Sequence, residues 1–421
     1  MPADAPQAPI LTADPQRRLE QLLAILARER WPLPAGALPT GTALVGGAVR
    51  DGLLGRMAER PDLDLIVPGD GSALACDLAE RFGGSWVPLD PLRGIGRWLR
   101  RGWTIDLARR EGPDLESDLA RRDYSVNAIA LPLEPGAPLV DPQGGQADLA
   151  RGLLRAIGEA NLLADPLRLL RGPRLAAELG LRLDADSETW IHRHAGRLGE
   201  VAGERVLAEL ERLAAAAAGG TWLERVRQLG LLTPWGAPQP EASAPAPAAL
   251  DPQRASAAGL TPEESAWALP LARLASLLDG ATLERLRASR RLQQRCERLR
   301  HGWGLLEGQE LEAAGLGEAD RLGLQTALED DWPAFALALP TAAAQASLTR
   351  WRDGGDPLFH PRPPINGAAL QRALGLTPGP ALGALIAHLT QERAFGRLAA
   401  SADPLAPARR WLEATGEGRR D

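Results

Sequence analysis

The sequence predicts an α+β protein in which a mixed α/β head is followed by an all-α remainder. Runs of residues with β-strand character occur only before residue 158, and apolar residues recur at helical spacing beyond it. A tract rich in Pro and Ala at 236–253 is typical of a linker or a surface loop. We therefore expect four parts, which are a head at 1–157, a helical neck at 158–235, a helical body at 236–350 and a helical tail at 351–421.

The elements of the head follow in order along the chain. A helical pattern at 19–30 ends where two prolines follow in WPLPAG. Five β-like runs come next, which are TALV, LDLIVP, WVPL, WTIDLA and VNAIALPL. In the neck, Gly172 and Pro173 fall inside a helical pattern, and we expect a kink there because proline removes a helix hydrogen bond.

The composition excludes several classes of protein. No stretch reaches the ~18 consecutive apolar residues of a transmembrane helix, and no secretory leader is visible, so we expect a cytoplasmic protein without membrane association. Cys76 and Cys296 have neither disulfide nor zinc-ligand spacing. The net charge of −6 gives no basic signature for nucleic acid. All 48 cationic side chains are Arg, however, and guanidinium groups bind phosphates bidentately. The oligomeric state is left open.

A pair of glycines lies where the first strand-like run meets a helix. Gly46 and Gly47 in ALVGGAVRD allow backbone N–H groups to approach a phosphate closely, and Arg50 follows on the first helical turn. The motif lacks the lysine of a P-loop. An ordinary strand–helix turn is the alternative interpretation.

Carboxylates follow the glycine pair. Asp62 and Asp64 are two residues apart in a β-like run, so their side chains are expected on one face. Two such carboxylates repel each other unless a cation neutralises them, and oxygen ligands suit Mg²⁺. Asp106, in another β-like run, is the candidate for a third ligand. A phosphate-binding turn beside such a site predicts in-line nucleotidyl transfer assisted by metal ions. A solvent-facing pair of aspartates at a strand edge is the alternative.

At this point the sequence resembles the class II tRNA nucleotidyltransferase and bacterial poly(A) polymerase family, whose head is similar to the polymerase-β nucleotidyltransferase fold. The first family signature, Gly-Gly-x-x-Arg-Asp followed by Asp-x-Asp, is matched in full. Its residues here are Gly46, Gly47, Arg50, Asp51, Asp62 and Asp64. The second signature, Arg-Arg-Asp-Phe-Thr-x-Asn, is present with Tyr124 and Ser125 in place of Phe and Thr. Its matched residues are Arg121, Arg122, Asp123 and Asn127, and the resemblance implies that this segment contacts the triphosphate and the ribose.

Three further signatures occur in family order. The turn-and-hinge pattern is matched by Asp141, Gly145, Asp148, Leu149 and Arg155. The base-reading signature, Glu-Asp-x-x-Arg, keeps Asp165 and Arg168 but has Ala164 in place of Glu. We expect Asp165 and Arg168 to share a helix face and to meet the Watson–Crick edge of C or A, with Arg171 and Arg174 continuing that face. The last signature, a helix that buttresses the base reader, is matched by Glu204, Arg205 and Glu209.

The resemblance implies a template-independent enzyme that uses Mg²⁺, CTP and ATP to add CMP, AMP or both to the 3′ end of tRNA. The tail would bind RNA, and the Arg-rich helix at 283–300 would be either a solvated helix or a track of phosphate contacts. Asp106 and Arg121 are separated by a short stretch, whereas many CCA-adding members carry a longer flexible segment there. A CC-only or A-only enzyme, a poly(A) polymerase and an inactive RNA-binding protein remain alternatives.

Overall fold

The computed structural model describes residues 14–34, 36–238, 243–306 and 315–416. The chain forms two compact units. The first comprises Met1–Val201 with Leu229–Leu231, and the second comprises Ala202–Gln228 with Leu232–Asp421. The α+β class is confirmed, since a mixed sheet lies in the first unit and the second is helical. The four-part division at residues 157, 235 and 350 stays a prediction.

The first unit contains a six-stranded sheet, a two-stranded sheet and eight α-helices within its described residues. The strands are β1 (Ala43–Val45), β2 (Leu63–Val67), β3 (Ser85–Asp90), β4 (Ile95–Arg100), β5 (Trp103–Arg109), β6 (Ala130–Pro132), β7 (Leu153–Leu154) and β8 (Arg182–Leu183). The helices are α1 (Pro15–Leu26), α2 (Gly47–Leu53), α3 (Gly71–Phe82), α4 (Leu115–Leu119), α5 (Gly145–Ala150), α6 (Glu159–Ala164), α7 (Arg168–Leu179) and α8 (Ala185–Arg193).

The large sheet has the strand order β3-β4-β5-β2-β1-β6. Only the β2–β5 pair in this sheet is parallel, and it aligns Asp64 with Asp106. Alternation along β5 buries Ile105 and Leu107 on one face and turns Asp106 to the other. Helix α3 covers the buried face so closely that a Cβ on Gly71 would lie 2.2 Å from the Leu107 carbonyl oxygen. The opposite face is thereby left to carry the polar residues.

Several elements differ from the sequence-based expectations. The run IGRWLR forms β4, which was not predicted from the sequence. Its two arginines gave it a polar character, although Trp98 within it is buried. The expectation that strands end at residue 158 is wrong, since β8 pairs in parallel with β7. Helix α1 begins at Pro15 behind an Asp14 cap and ends at Leu26, followed by a 3₁₀ turn. Helix α7 continues through Pro173.

The second unit is all helical within its described residues. Its α-helices are α9 (Gly203–Ala215), α10 (Gly219–Gln228), α11 (Pro252–Ala257), α12 (Pro262–Leu277), α13 (Gly280–Arg285), α14 (Arg290–Leu306), α15 (Glu318–Leu328), α16 (Trp332–Ala336), α17 (Thr341–Arg352), α18 (Gly367–Leu374), α19 (Pro380–Ala394) and α20 (Leu405–Thr415). None of the helices in the described ranges has the length and apolar character needed to cross a bilayer.

A buried arginine organises one end of this unit. Arg273 on α12 is fully buried and donates to four carbonyl oxygens, those of Leu250, Ala214, Ala216 and Ala217, at 2.6–3.2 Å. Three of these acceptors lie at the C-terminal end of α9, where a cation also opposes the negative end of the helix dipole. Burial lowers the pKa of Arg273 to about 10.

The tract at 236–253 is only partly the surface loop that its composition predicts. Residues 239–242 lie outside the described residues. Pro247 and Leu250 are buried, and a Cβ on Gly220 of α10 would lie 2.2 Å from the Pro247 carbonyl oxygen. The part of this tract after residue 242 therefore packs into the second unit.

Candidate active site

Two of the three predicted carboxylates lie side by side. The parallel pairing of β2 with β5 places Asp64 directly opposite Asp106 on the polar face of the sheet. Asp62 precedes β2 by one residue and is exposed. Burial and the negative charges of Asp106 and Asp62 raise the pKa of Asp64 from 3.8 to about 6, against the opposing charges of Arg122 and Arg171. The ionised form of Asp64 is thus disfavoured in this environment.

Asp106 is held by a basic side chain that sequence reasoning missed. Arg97 on β4 donates from Nε to Asp106 Oδ1 at 2.7 Å and from Nη2 to Oδ2 at 2.8 Å. Within the described ranges, no three His, Cys, Asp or Glu side chains are grouped closely enough to hold a metal ion. The three-carboxylate site therefore stays a prediction, and Arg97 is the group with which a cation would compete for Asp106.

The glycine turn lies directly beside Asp64. Gly46 follows β1 and caps α2 with a φ of 72°, a left-handed conformation that favours glycine. A Cβ on Gly46 would lie 3.1 Å from Asp64 Oδ2 and 3.7 Å from Arg122 Nη1. The absence of a side chain at Gly46 therefore keeps open the space between a carboxylate and a guanidinium group.

A buried network joins the first two signatures. Arg50 donates from Nη1 to Asn127 Oδ1 at 2.6 Å, and Asn127 Nδ2 donates to Asp123 Oδ1 at 3.1 Å. Asp123 Oδ2 accepts from Arg171 Nε on α7 at 2.8 Å. Burial opposes ionisation of Asp123, but the Arg171 charge and the hydrogen bonds from Asn127 and the Tyr124 N–H lower its pKa to about 2. The network ties α2 to α7 through residues that were expected to touch the nucleotide.

Arg50 and Arg122 have different surroundings. Arg50 is buried, and its Nε and Nη2 also donate to the Asp51 carboxylate at 2.9 and 3.1 Å, so much of its fork is already occupied by protein groups. The Nε of Arg122 is buried with no hydrogen-bond partner, and its Nη2 lies 3.5 Å from Asp118. A guanidinium group with one unsatisfied donor and with its Nη1 near the glycine turn suits a phosphate.

A cleft of about 510 Å³ opens on the same sheet face as Asp64 and Asp106. Ile66 and Ala108, two residues further along β2 and β5, form its floor, since residues two apart on a strand share a face. Other residues that line it include Asp118, Arg121, Arg122, Asn161, Ala164, Asp165 and Arg168. The second and fourth signatures therefore meet at one cavity.

The expectation that Asp165 and Arg168 share a helix face is wrong. Asp165 has an extended backbone, with φ −144° and ψ 104°, between α6 and α7, whereas Arg168 begins α7. The cause is Pro166, because the residue before a proline is driven out of the helical region. Both side chains nevertheless line the cleft.

Arg168 is held by backbone carbonyls of neighbouring segments. Its Nη1 donates to the carbonyl oxygens of Arg121 at 2.9 Å and Asn161 at 2.8 Å. Asn161 Nδ2 in turn donates to the carbonyls of Ala120 and Arg122 at 2.7 and 2.8 Å. The sequence analysis predicted no role for Asn161. The one signal that could have indicated it is its position one helical turn before Asp165.

Arg174 and Asp148 of the other signatures bond to protein groups in the described geometry, and a nucleotide contact of Arg174 stays a prediction. Arg174 is buried within α7 and forms a short ion pair with Glu178, away from the lining of the cleft. Asp148 accepts from Ser125 Oγ at 2.7 Å and from Arg155 Nε at 3.0 Å, which fixes the segment that follows Asp123. In the second unit, several arginines of the 283–300 segment have protein partners, including Arg295 and Arg298 with the buried Asp331.

Comparisons with known proteins identify the family of this chain. The family model for the poly(A) polymerase head domain matches residues 100–155, and the model for the probable RNA- and SrmB-binding site of polymerase A matches residues 180–241. The CC-adding tRNA nucleotidyltransferase of Synechocystis sp. is 34% identical over 90% of this chain and 96% of its own length. The A-adding tRNA nucleotidyltransferase of Deinococcus radiodurans is 43% identical over 49% of this chain and 46% of its own length.

Solved structures share the fold over nearly the whole chain. The CCA-adding enzyme of Thermotoga maritima, determined in complex with tRNA, superposes with a TM-score of 0.67 at 22% identity and covers 96% of this chain and 98% of its own. The Bacillus stearothermophilus CCA-adding enzyme with CTP gives a TM-score of 0.68 at 20% identity, covering 97% of this chain and all of its own. At these identities the structures support the fold, and the Synechocystis relative supports the family.

Proposed function

Because this chain belongs to the tRNA nucleotidyltransferase family, we propose that it is the CC-adding member, which transfers two CMP residues from CTP to the 3′ end of immature tRNA. The chain is a tRNA nucleotidyltransferase that acts on tRNA with CTP or ATP as donor. The observation that carries the CC-specific proposal is the match to a CC-adding enzyme over 90% of the chain. A cytoplasmic location is part of the same proposal.

The head geometry supports this product. Strand β5 ends at Arg109 and α4 begins at Leu115, so only five residues join the strand of Asp106 to the helix before the Arg121–Arg122 pair. The longer flexible segment of many CCA-adding members has no counterpart here. An enzyme that must change from CTP to ATP needs a rearrangement of its base-reading site, and this short connection offers little freedom for one.

The donor set fits a divalent cation, which the reaction of this family uses. The candidate ligands are carboxylate oxygens alone. The pKa of Asp64 is raised first by burial and then by the negative charges of Asp106 and Asp62, and a cation would neutralise those charges. We propose that Asp62, Asp64 and Asp106 hold Mg²⁺. The chemistry supplied by such ions is activation of the tRNA 3′-hydroxyl and stabilisation of the departing pyrophosphate.

Side chains of this protein would orient the reactants. The guanidinium of Arg122, whose Nη1 lies near the glycine turn, would bind the triphosphate, and the missing side chains of Gly46 and Gly47 let that group approach the carboxylates. Asp165 and Arg168, at the cleft, would recognise the base of the incoming nucleotide. The Asp123–Arg171 ion pair would keep α7 in register with the triphosphate-binding segment. Positioning of this kind is a large part of the rate enhancement in such transfers.

The product on defined tRNA ends tests the proposal. Purified protein is incubated with Mg²⁺ and with tRNA ending at the discriminator base, after the first C or after both C residues, and with labelled CTP, ATP or both. A CC-adding enzyme extends the first substrate by two C and the second by one C, and it leaves the third unextended with ATP. Addition of A to the third substrate would overturn the CC-only assignment, and no incorporation on any substrate would overturn nucleotidyl transfer.

A further inference from the structure

Tyr124 departs from the second family signature, which has Phe at this position. It is the only tyrosine of the chain and is fully buried. Its hydroxyl donates to the carbonyl oxygen of Arg168, in the first turn of α7, at 2.9 Å. Burial also raises the pKa of this phenol, so it remains a hydrogen-bond donor over the working pH range. The added hydroxyl therefore reaches the residue that is proposed to read the base.

Gly172 supplies the space for this hydroxyl. A Cβ on Gly172 would lie 2.3 Å from Tyr124 Oη, 3.1 Å from Tyr124 Cζ and 3.1 Å from Ile191 Cδ1. Gly172 lies inside α7, where glycine is about 1 kcal/mol less favourable than alanine, so the helix itself gives no reason for it. The phenol does give a reason, because the tyrosine and an alanine at 172 do not fit together.

We propose that Tyr124 and Gly172 form one positioning unit that sets the location of Arg168, and through it the affinity for the incoming nucleotide. The inference rests on the proposed function of Arg168 in reading the base. Arg168 is then fixed at two points, by its carbonyl on Tyr124 and by its guanidinium on the carbonyls of Arg121 and Asn161. The Tyr124 hydroxyl acts on the proposed base reader through the carbonyl oxygen of Arg168, so Tyr124 is a positioning residue.

The first test removes the hydroxyl alone. In Tyr124→Phe, which restores the side chain of the family signature, the ring is kept and one hydrogen bond is lost. We expect the KM for CTP to rise about fivefold, the change that corresponds to one typical buried hydrogen bond, with kcat within about twofold of wild type. A merely structural role would lower the fraction of active enzyme and hence kcat, while the KM stayed unchanged. Thr189→Ala, which removes an exposed hydroxyl that bonds within α8, is the control.

The second test couples the two positions. Gly172→Ala should lower the melting temperature and transfer activity strongly, because its Cβ overlaps the phenol oxygen. Adding Tyr124→Phe should recover part of both, because the overlap with the phenol oxygen is removed and the contacts of about 3.1 Å that remain require only small shifts of side chains. Gly196→Ala is the matched control, because nothing lies within 4 Å of a Cβ there.

Each result decides between the possibilities. A raised KM in Tyr124→Phe together with recovery in the double variant supports the positioning unit. An unchanged KM, or a double variant no better than Gly172→Ala, overturns it. If the wild type adds no nucleotide to tRNA, the proposed function fails. In that case CTP affinity by calorimetry and the melting temperatures of the four-protein cycle still decide whether the unit exists.

Discussion

Replacing Asp64 with Asn should make the protein more stable and inactive at the same time. Burial and the neighbouring carboxylates raise the pKa of Asp64 from 3.8 to about 6. At about 1.4 kcal/mol per pKa unit, the ionised side chain then costs the folded state about 3 kcal/mol relative to a neutral one. Because the folded pKa is raised, this cost is absent below about pH 4 and grows as the pH rises through 6. The carboxylate is retained at the expense of stability, as expected of a functional group.

The assay is thermal unfolding of wild type and Asp64→Asn in EDTA at pH 4 and pH 8. At pH 8 the variant should melt higher by about 6–12 °C, given about 2–4 °C per kcal/mol for a unit of this size. At pH 4 the two proteins should melt together. Asp62→Asn, at an exposed carboxylate, is the control and should change the melting temperature little.

Mg²⁺ adds a second readout to the same experiment. At pH 8 the ion should raise the melting temperature of the wild type and leave that of Asp64→Asn unchanged, because binding to the folded state stabilises it. Transfer to tRNA should fall at least about 100-fold in the variant. A variant that is no more stable than wild type at pH 8 in EDTA, or a difference that does not depend on pH, would refute the reasoning.

Three further variants test other parts of the structure. Arg122→Gln should raise the KM for CTP about tenfold in steady-state kinetics, because a charge-assisted bond to phosphate is lost; an unchanged KM would exclude that contact. Arg273→Met should destabilise the second unit by about 3–5 kcal/mol in urea unfolding, since carbonyl acceptors lose a buried partner, whereas Arg81→Met at an exposed pair should cost under about 1 kcal/mol. Asp123→Asn should lower the free energy of unfolding by about 2 kcal/mol at pH 7. That difference should vanish as the pH falls from about 4 to 2, because the lowered pKa makes Asp123 stabilising only when it is ionised; a difference of the same size at pH 2 would contradict this assignment.

The sequence predicted the parts of the site that local patterns encode. The glycine pair between a strand and a helix is confirmed, as is the placement of Asp64 and Asp106 on strands. Both follow from short-range rules, since glycine permits close approach and alternate strand residues share a face. The α+β division also followed, because helical and strand periodicities differ along the chain.

What the sequence could not predict depends on long-range contacts. No sequence pattern predicted that Arg97 would bind Asp106, and the arginines of β4 also prevented its recognition as a strand. The partners of Arg50 and Arg174 likewise depend on tertiary packing. The error at Asp165 was avoidable, because Pro166 stands next to it and excludes a helical conformation at Asp165.

The central claim is that Asp62, Asp64 and Asp106 gather around divalent ions beside the glycine turn. A crystal structure with Mn²⁺ and a non-hydrolysable CTP analogue, recorded for anomalous scattering, tests it most directly. We predict a metal peak about 2.0–2.3 Å from oxygens of Asp62 and Asp64, with Asp106 released from Arg97 and the triphosphate against Gly46. Anomalous density elsewhere, or none at these carboxylates while the nucleotide is bound, would contradict the account.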